Sequence, residues 1–286
     1  MKSKKTILAY IACFFFIFLF QSAKPIPASF RVAAYNIRYN AQMDVESGNA
    51  WDTRKAPLAR LIRQHAFDIV GTQEGDAGQI NDLKELLPAF DVVAHPYGGT
   101  GDSHNAAILY KRNQFTLLDS GVFWLSETPE IPSIGWDATD RRICNWGKFK
   151  EKHSGKEFFF FNVHFYWRKQ IAKQESGPLI AKKIKEIAGD TPTIITGDFN
   201  STPQTSQIAA IKEVLNDAYE VTKTERQGVE GTGFPGGVFQ GKPGGRIDYV
   251  FVSPQIQVYD YKVLSDIYND NRYPSDHLPV TSFIEF

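Results

Sequence analysis

The stretch Thr193-Ile194-Ile195-Thr196-Gly197-Asp198-Phe199-Asn200 decides the reading of this chain. Four β-favouring residues run into a Gly-Asp-x-Asn turn, which is how a buried strand with a polar exit is written. The same grammar recurs along the sequence. Arg31-Val32-Ala33-Ala34-Tyr35 leads into Asn36, and Asp68-Ile69-Val70-Gly71-Thr72-Gln73 leads into Glu74. The run at 158–163 leads to His164. Asp248 opens an apolar run, and Asp276-His277 precedes the last one. Layered α/β folds place ligands beyond strand ends. These polar residues are therefore expected to share one site at one edge of the sheets.

Working outward, ten β-rich runs are legible: 30–37, 68–73, 91–95, 107–110, 115–125, 143–149, 158–165, 193–198, 247–252 and 278–283. They are rich in Val, Ile, Phe and Tyr, as buried strands are. Helical spacing runs through 52–65 (Leu58, Leu61, Ile62), 77–87 (Ile80, Leu83, Leu87), 169–188 (Ile180, Ile184, Ile187) and 205–215. Gly177-Pro178 is expected to kink or delay the third of these helices. Ten strands are too many for one doubly wound sheet with four helices. The expected fold is an α/β four-layer sandwich, two stacked, mainly antiparallel or mixed β-sheets flanked by helices, with a single split sheet as the alternative. Long loops at 126–140 and 228–245 are candidate functional segments.

The N-terminal end reads as an address. Lys2, Lys4 and Lys5 precede an uninterrupted apolar run of 14 residues at 7–20, followed by Ser22 and Ala23. A bilayer span needs roughly 20 apolar residues. The run therefore reads as the core of a signal peptide at 1–23, with the domain at 24–286. Export to the periplasm or the medium follows; an uncleaved N-terminal membrane anchor is the alternative. Tyr10-Ile11-Ala12-Cys13 is a faint echo of a lipoprotein processing site. Losing 1–23 removes those three lysines from 32 basic residues and none of the 32 acidic ones, a net charge of −3. Such a chain has no overall basic surface for a polyanion. Cys144 is then the sole cysteine, which excludes an intrachain disulfide, and 22 Phe supply the packing.

Taken singly, each polar motif is bland, since Asp-His pairs and Gly-Asp turns are common. Taken together they are not. Tyr-Asn-Ile-Arg at 35–38, Thr-Gln-Glu at 72–74, Asn-Val-His at 162–164, Gly-Asp-Phe-Asn at 197–200, Arg-Ile-Asp-Tyr at 246–249 and Ser-Asp-His at 275–277 come in a fixed order across almost the whole domain. In this the sequence resembles the endonuclease/exonuclease/phosphatase superfamily, the deoxyribonuclease-I-like fold. Trp51 with Arg54-Lys55, and the region from Trp124 to Trp146, resemble its bacterial secreted branch near the deadenylase-like members.

The resemblance implies a hydrolase of phosphoric esters dependent on Mg²⁺, with Mn²⁺ as a possible substitute. Mg²⁺ prefers carboxylate, amide and water oxygens, and no Cys or His spacing argues for zinc. By resemblance, Glu74 supplies the main metal carboxylate, with Asn36 and Asp276 beside it. His277 is the candidate general base, oriented by Asp248. Asp198 positions or deprotonates the attacking water. Asn200 and His164 meet the non-bridging oxygens, where negative charge grows. Asn105, Arg142, Arg168 and Phe234 are further candidates for substrate contact. Arg141-Arg142 reads equally as a phosphate clamp or a surface ion pair. Related secreted members often follow Asn-Val-His with an Asp and a Gly-containing turn. Here Phe165-Tyr166-Trp167-Arg168-Lys169 stands instead, which changes the wall beside His164.

The expected substrate is phosphorylated: nucleic acid, a lipid head group or a sugar phosphate. A phosphodiester, and so a nuclease, is the family default. A phosphomonoesterase, a sphingomyelinase or an inositol-phosphate phosphatase on the same fold is the alternative. A non-catalytic binding module would have lost a metal or base residue, and none is missing. No protein partner is implied, and a monomer is expected.

Overall fold

A computed structural model describes residues 26–98 and 106–286; the signal peptide expected at 1–23 and Asn105 lie outside the described residues. Two β-sheets form the centre. The first has seven strands: β1 (Ser29–Asn36), β2 (Ile69–Gln73), β3 (Phe90–Val93), β4 (Ile108–Lys111), β11 (Gln257–Val258), β12 (Lys262–Val263) and β13 (Val280–Glu285). They run in the order β11-β13-β1-β2-β4-β3, with β12 also paired to β13. The second has six: β5 (Phe115–Trp124), β6 (Ile143–Glu151), β7 (Glu157–His164), β8 (Thr193–Asp198), β9 (Asn216–Asp217) and β10 (Asp248–Val252), in the order β5-β6-β7-β8-β10-β9.

Each sheet carries one parallel pair between antiparallel neighbours. In the first, β1 and β2 are parallel, flanked by β13 and β4. In the second, β7 and β8 are parallel, flanked by β6 and β10. The register pairs Asn36 with Gln73 and His164 with Asp198. Each parallel pair thus delivers two polar exits side by side.

Alternation builds the layers, because successive side chains on a strand face opposite ways. Phe30, Val32 and Ala34 of β1 meet Phe158 and Phe160 of β7 between the sheets. Ala33 and Tyr35 turn the other way, onto Leu58, Leu61 and Ile62 of α2 (Trp51–Gln64) and Ile80 and Leu83 of α3 (Ala77–Leu86). Phe161 and Val163 pack under Ile180 and Ile184 of α4 (Gln170–Ala188) and Ile208 and Ile211 of α5 (Ser206–Lys212). Helix, sheet, sheet and helix make the four layers expected from the sequence.

The expected strands and main helices are present with shifted ends. The last strand starts at Val280 rather than at 278, because the Leu278 N–H is taken by the Thr232 carbonyl at 2.7 Å. The short β9, β11 and β12 had no periodicity to reveal them. Gly177-Pro178 neither delays nor divides α4, which runs unbroken for 19 residues. Asp137, from the 126–140 loop, starts it by accepting from the Ala172 N–H at 2.7 Å. A Cβ on Gly177 would sit 2.4 Å from the Gln207 carbonyl oxygen, so packing against α5 holds the proline turn in place. No helix among the described residues is long and apolar enough to cross a membrane.

One polar cluster lies in the apolar space between the sheets. The Asn162 side-chain oxygen accepts from Gln73 Nε2 at 2.6 Å and Thr196 Oγ1 at 3.0 Å. Its NH₂ donates to the Thr72 and Ala107 carbonyls at 2.8 and 3.0 Å. All donors and acceptors of this buried amide group are thereby matched, as burial demands. Gly71 lets the sheets close here, since a Cβ would lie 2.1 Å from Thr196 Oγ1 and 2.2 Å from Asn162 Oδ1. Gly71→Ala should therefore cost about 2 kcal/mol through overpacking. In thermal melts this should lower Tm by roughly 4–8 °C; an unchanged Tm would show that the seam is not tightly closed.

Candidate active site

Each sheet gives two strand exits and one strand start to the same edge. From the first come Asn36 at the end of β1, Glu74 just after β2, and Asp276-His277 ahead of β13. From the second come His164 at the end of β7, Asp198 at the end of β8, and Asp248 at the start of β10. Asn200 follows one turn after β8. Glu74 and Asn200 both have left-handed backbones, φ 70° and 46°. For residues with a Cβ this is strained, and such strain concentrates at functional sites.

Asn36 joins the two halves. Its Nδ2 donates at 3.0 Å to Glu74 Oε1 and at 3.0 Å to Asp198 Oδ2, while its Oδ1 accepts from the Arg38 N–H at 2.9 Å. In this arrangement Asn36 presents its NH₂, not its oxygen, to the carboxylates. The other Glu74 oxygen accepts from the Tyr39 N–H at 3.2 Å. Asp198 Oδ1 is fixed by the Asn200 N–H at 2.8 Å, and Oδ2 faces His164 Nε2 at 3.5 Å and His277 Nε2 at 3.8 Å. His277 Nδ1 meets Asp248 Oδ2 at 2.9 Å. Asn200 Nδ2 approaches His164 Nε2 at 3.1 Å and donates to the Phe165 carbonyl at 3.0 Å. Asp276 Oδ2 lies 3.5 Å from Arg38 Nη1.

Burial sets the electrostatics. Burial first, and then the nearby charge of Asp248, push the Asp198 carboxyl up to about 7. Burial would also raise Glu74, but His164, the Asn36 amide and His277 overcome it and hold Glu74 at about 2. Burial opposes charge on His277, yet Asp248 and Asp198 outweigh it and lift this imidazole well above its ordinary range. The cluster is thus short of positive charge, since neighbouring carboxylates cannot all ionise cheaply in a dry site. Glu74, His164 and Asp198 bring one donor atom each within 4.8 Å of one another, and so do Asp198, Asp248 and His277. Oxygen donors and a charge deficit of this kind fit a hard divalent cation. Asp248 Oδ1 is buried with no hydrogen-bond partner.

All eight residues expected in the catalytic and metal set converge on this edge. Of the other candidates, Arg142, Arg168 and Phe234 are described. Arg142, at the head of β6 and half-buried, has its guanidinium 5.6 Å from the Tyr166 ring. It makes no ion pair among the described residues, and its Nε is buried with no hydrogen-bond partner among them. Arg168 is exposed and stacks on the half-exposed Trp167 at 3.9 Å. Phe234 is only 5% exposed and stacks on Tyr273, which puts its ring in the core between the sheets. Other contributors went unassigned in the sequence. Ser275 Oγ donates to the Asn36 carbonyl at 2.7 Å, tying the His277 segment to β1. Thr232 Oγ1 accepts from the Asp248 N–H at 3.1 Å, anchoring the 228–245 loop. Nothing local marks a serine or threonine for such duty. Arg38 was visible within its motif but had no role until its partners were seen.

A buried acid–imidazole pair, an adjoining acid and an oxygen-rich cluster thus meet at the common edge of the two stacked sheets. Residues 34–277 match the endonuclease/exonuclease/phosphatase family, and the chain belongs to that family. Among solved structures it is similar to a mannosyl-6-phosphatase of Bacteroides thetaiotaomicron, with 39% identity, a TM-score of 0.85, and coverage of 90% of this chain and 100% of that one. An uncharacterised protein of Acanthamoeba polyphaga mimivirus is 29% identical over 251 residues, covering 82% of this chain and 92% of that one. The human Nocturnin catalytic domain shares the fold, with 20% identity, a TM-score of 0.70, and coverage of 90% and 93%.

Asp248→Asn keeps the shape of the His277 contact but removes the charge that orients and stabilises the imidazolium. It should lower kcat by about 10²–10⁴-fold, with KM little changed and circular dichroism unaltered. Wild-type turnover by this variant would remove the dyad from the chemistry.

Proposed function

We propose that this protein is a Mg²⁺-dependent phosphatase that hydrolyses a phosphate monoester, with a phosphorylated sugar as its substrate class. The observation that carries the hydrolytic part is the line Asp248–His277–Asp198, with contacts of 2.9 and 3.8 Å. Two things favour a sugar phosphate over the nuclease default. The chain is 39% identical to a structure described as a mannosyl-6-phosphatase. It also has equal numbers of basic and acidic residues, 32 each, and so lacks the excess positive charge that attracts a long polyanion.

In this reading Glu74 and Asp198, with Asp276 beside them, would hold the cation, and the Asn36 NH₂ would brace the first two carboxylates. When bound, the ion neutralises phosphoryl charge and lowers the pKa of water. The rest falls to the chain's own residues. Asp248 fixes the His277 tautomer so that Nε2 faces the reaction space and accepts a proton from the attacking water. Asp198, its other oxygen pinned by the Asn200 N–H, orients that water. The same carboxylates that raise the His277 pKa keep it protonated, so offsetting their charge is what frees it to act as a base. Asn200 Nδ2 and His164 Nε2 stand together to meet the phosphoryl oxygens, and His164 assists the leaving oxygen. Export directed by residues 1–23 belongs to the same proposal.

The test is phosphate release from mannose 6-phosphate and other hexose phosphates. Bis(p-nitrophenyl) phosphate, single-stranded RNA, duplex DNA, inositol phosphates and sphingomyelin are run alongside. A sugar phosphate should be preferred by about 100-fold or more in kcat/KM. EDTA should abolish turnover, and Mg²⁺ or Mn²⁺ should restore it. Faster cleavage of DNA, RNA or another diester would overturn the monoester reading, and activity persisting in EDTA would overturn the metal requirement.

A further inference from the structure

Arg54 on α2 has no exposed surface, yet no carboxylate lies within ion-pairing distance of it among the described residues. A buried guanidinium ordinarily meets an acid. Here all five N–H donors go to backbone carbonyls instead. Nε binds Asn49 at 2.8 Å; Nη1 binds Ile37 at 2.9 Å and Pro274 at 3.0 Å; Nη2 binds Arg38 at 3.3 Å and Tyr39 at 3.5 Å. The rings of Trp51 and Phe239 flank it at 5.3 and 5.0 Å. Carbonyl dipoles and ring faces take the place of a counter-ion.

The identity of those carbonyls matters more than their number. Ile37, Arg38 and Tyr39 form the exit of β1, directly after Asn36. Pro274 lies two residues before Asp276 and three before His277. Phe239 belongs to the loop that leads to Asp248. Arg38 is held left-handed, φ 57°, and its carbonyl is also bound by Gln79 Nε2 at 2.8 Å. From that strained position its side chain reaches Asp44 at 3.1 Å and Asp276 at 3.5 Å. A planar fork with fixed donor directions can span these segments; a lysine, with one nitrogen, cannot.

We propose that Arg54 is a positioning residue of the hydrolytic site: its carbonyl-saturated guanidinium locks the β1 exit to the segment before β13, and so sets the placement of Asn36 and Glu74 relative to His277. The proposal rests on the hydrolytic reading above. A residue that merely held the fold together would lower stability without a selective effect on chemistry. Arg54 instead couples two segments of one site whose working tolerance is below an ångström.

The test compares the wild-type full chain with Arg54→Lys and Arg54→Met. Arg31→Met serves as a control that breaks the remote Arg31–Asp260 pair (3.0 and 2.7 Å). Thermal stability, kcat and KM on the preferred phosphoester, Mn²⁺ binding by electron paramagnetic resonance, and hydrogen–deuterium exchange are measured on each. In Arg54→Lys, kcat should fall by about 10²-fold while KM stays within about threefold. Mn²⁺ should bind more weakly, and exchange should quicken at 37–40 and 275–278 but not in β8. Arg31→Met should lose stability alone. Wild-type kcat in Arg54→Lys, parallel losses in Arg54→Lys and Arg31→Met, or failure of both Arg54 variants to fold would overturn the proposal in favour of a general structural role. If the wild type cleaves no phosphoester, the functional reading fails separately. The exchange pattern then still decides whether Arg54 clamps these two segments.

Discussion

The rest of the structure depends on keeping carboxylates from two different sheets within hydrogen-bonding reach of one amide. Asn36 binds Glu74 and Asp198 at once, and so fixes the spacing of the sheets at their working edge. Like charges in a dry space repel, and burial penalises each of them. Such a cluster persists only where every remaining oxygen has a donor or a cation to answer it. The Tyr39 N–H, the Asn200 N–H and the two imidazoles supply part of that answer. Below the charged edge, the Asn162 amide closes the seam with neutral hydrogen bonds, and beneath it the interior turns to phenylalanine.

Topology explains why the polar groups arrive together. A parallel pair sends both its exits to the same edge, and an antiparallel neighbour starts there. The arrangement β13-β1-β2-β4 is repeated in the other sheet as β10-β8-β7-β6. One sheet therefore contributes Asn36, Glu74 and His277, and the other contributes His164, Asp198 and Asp248. No single strand has to carry more than one or two reacting groups. Each rests on rigid secondary structure, as a site with close tolerances requires.

The charge pattern follows from burial. The Asp198 carboxyl near 7 and the elevated His277 both reflect acids crowded into a dry space. Beside His164, Tyr166 is buried and Trp167 and Arg168 are exposed. The clustered acids and imidazoles thus rest on strand ends, and the exposed groups next to them lie on the segments between strands.

The sequence by itself determined the longer strands, the layers and the polar residues that meet at the common edge. Continuous apolar runs such as Phe158 to Phe161 mark strands buried on both faces, and the polar strand ends, each bland alone, are informative because six of them come in a fixed order. It misjudged Gly177-Pro178, because the packing of α5 against Gly177 that steadies that turn is a contact 30 residues distant. Phe234 looked like a loop ring free for substrate and is a core ring, since loop composition does not reveal which way a side chain turns. The duties of Ser275, Thr232 and Arg54 were equally hidden, because a hydroxyl or guanidinium that bonds to a backbone carbonyl or N–H leaves no partner pattern in the chain. Tertiary structure alone decided those contacts and the shifted protonation of the site. Both depend on distances between segments far apart in sequence, and on the exclusion of water that only the folded layers provide.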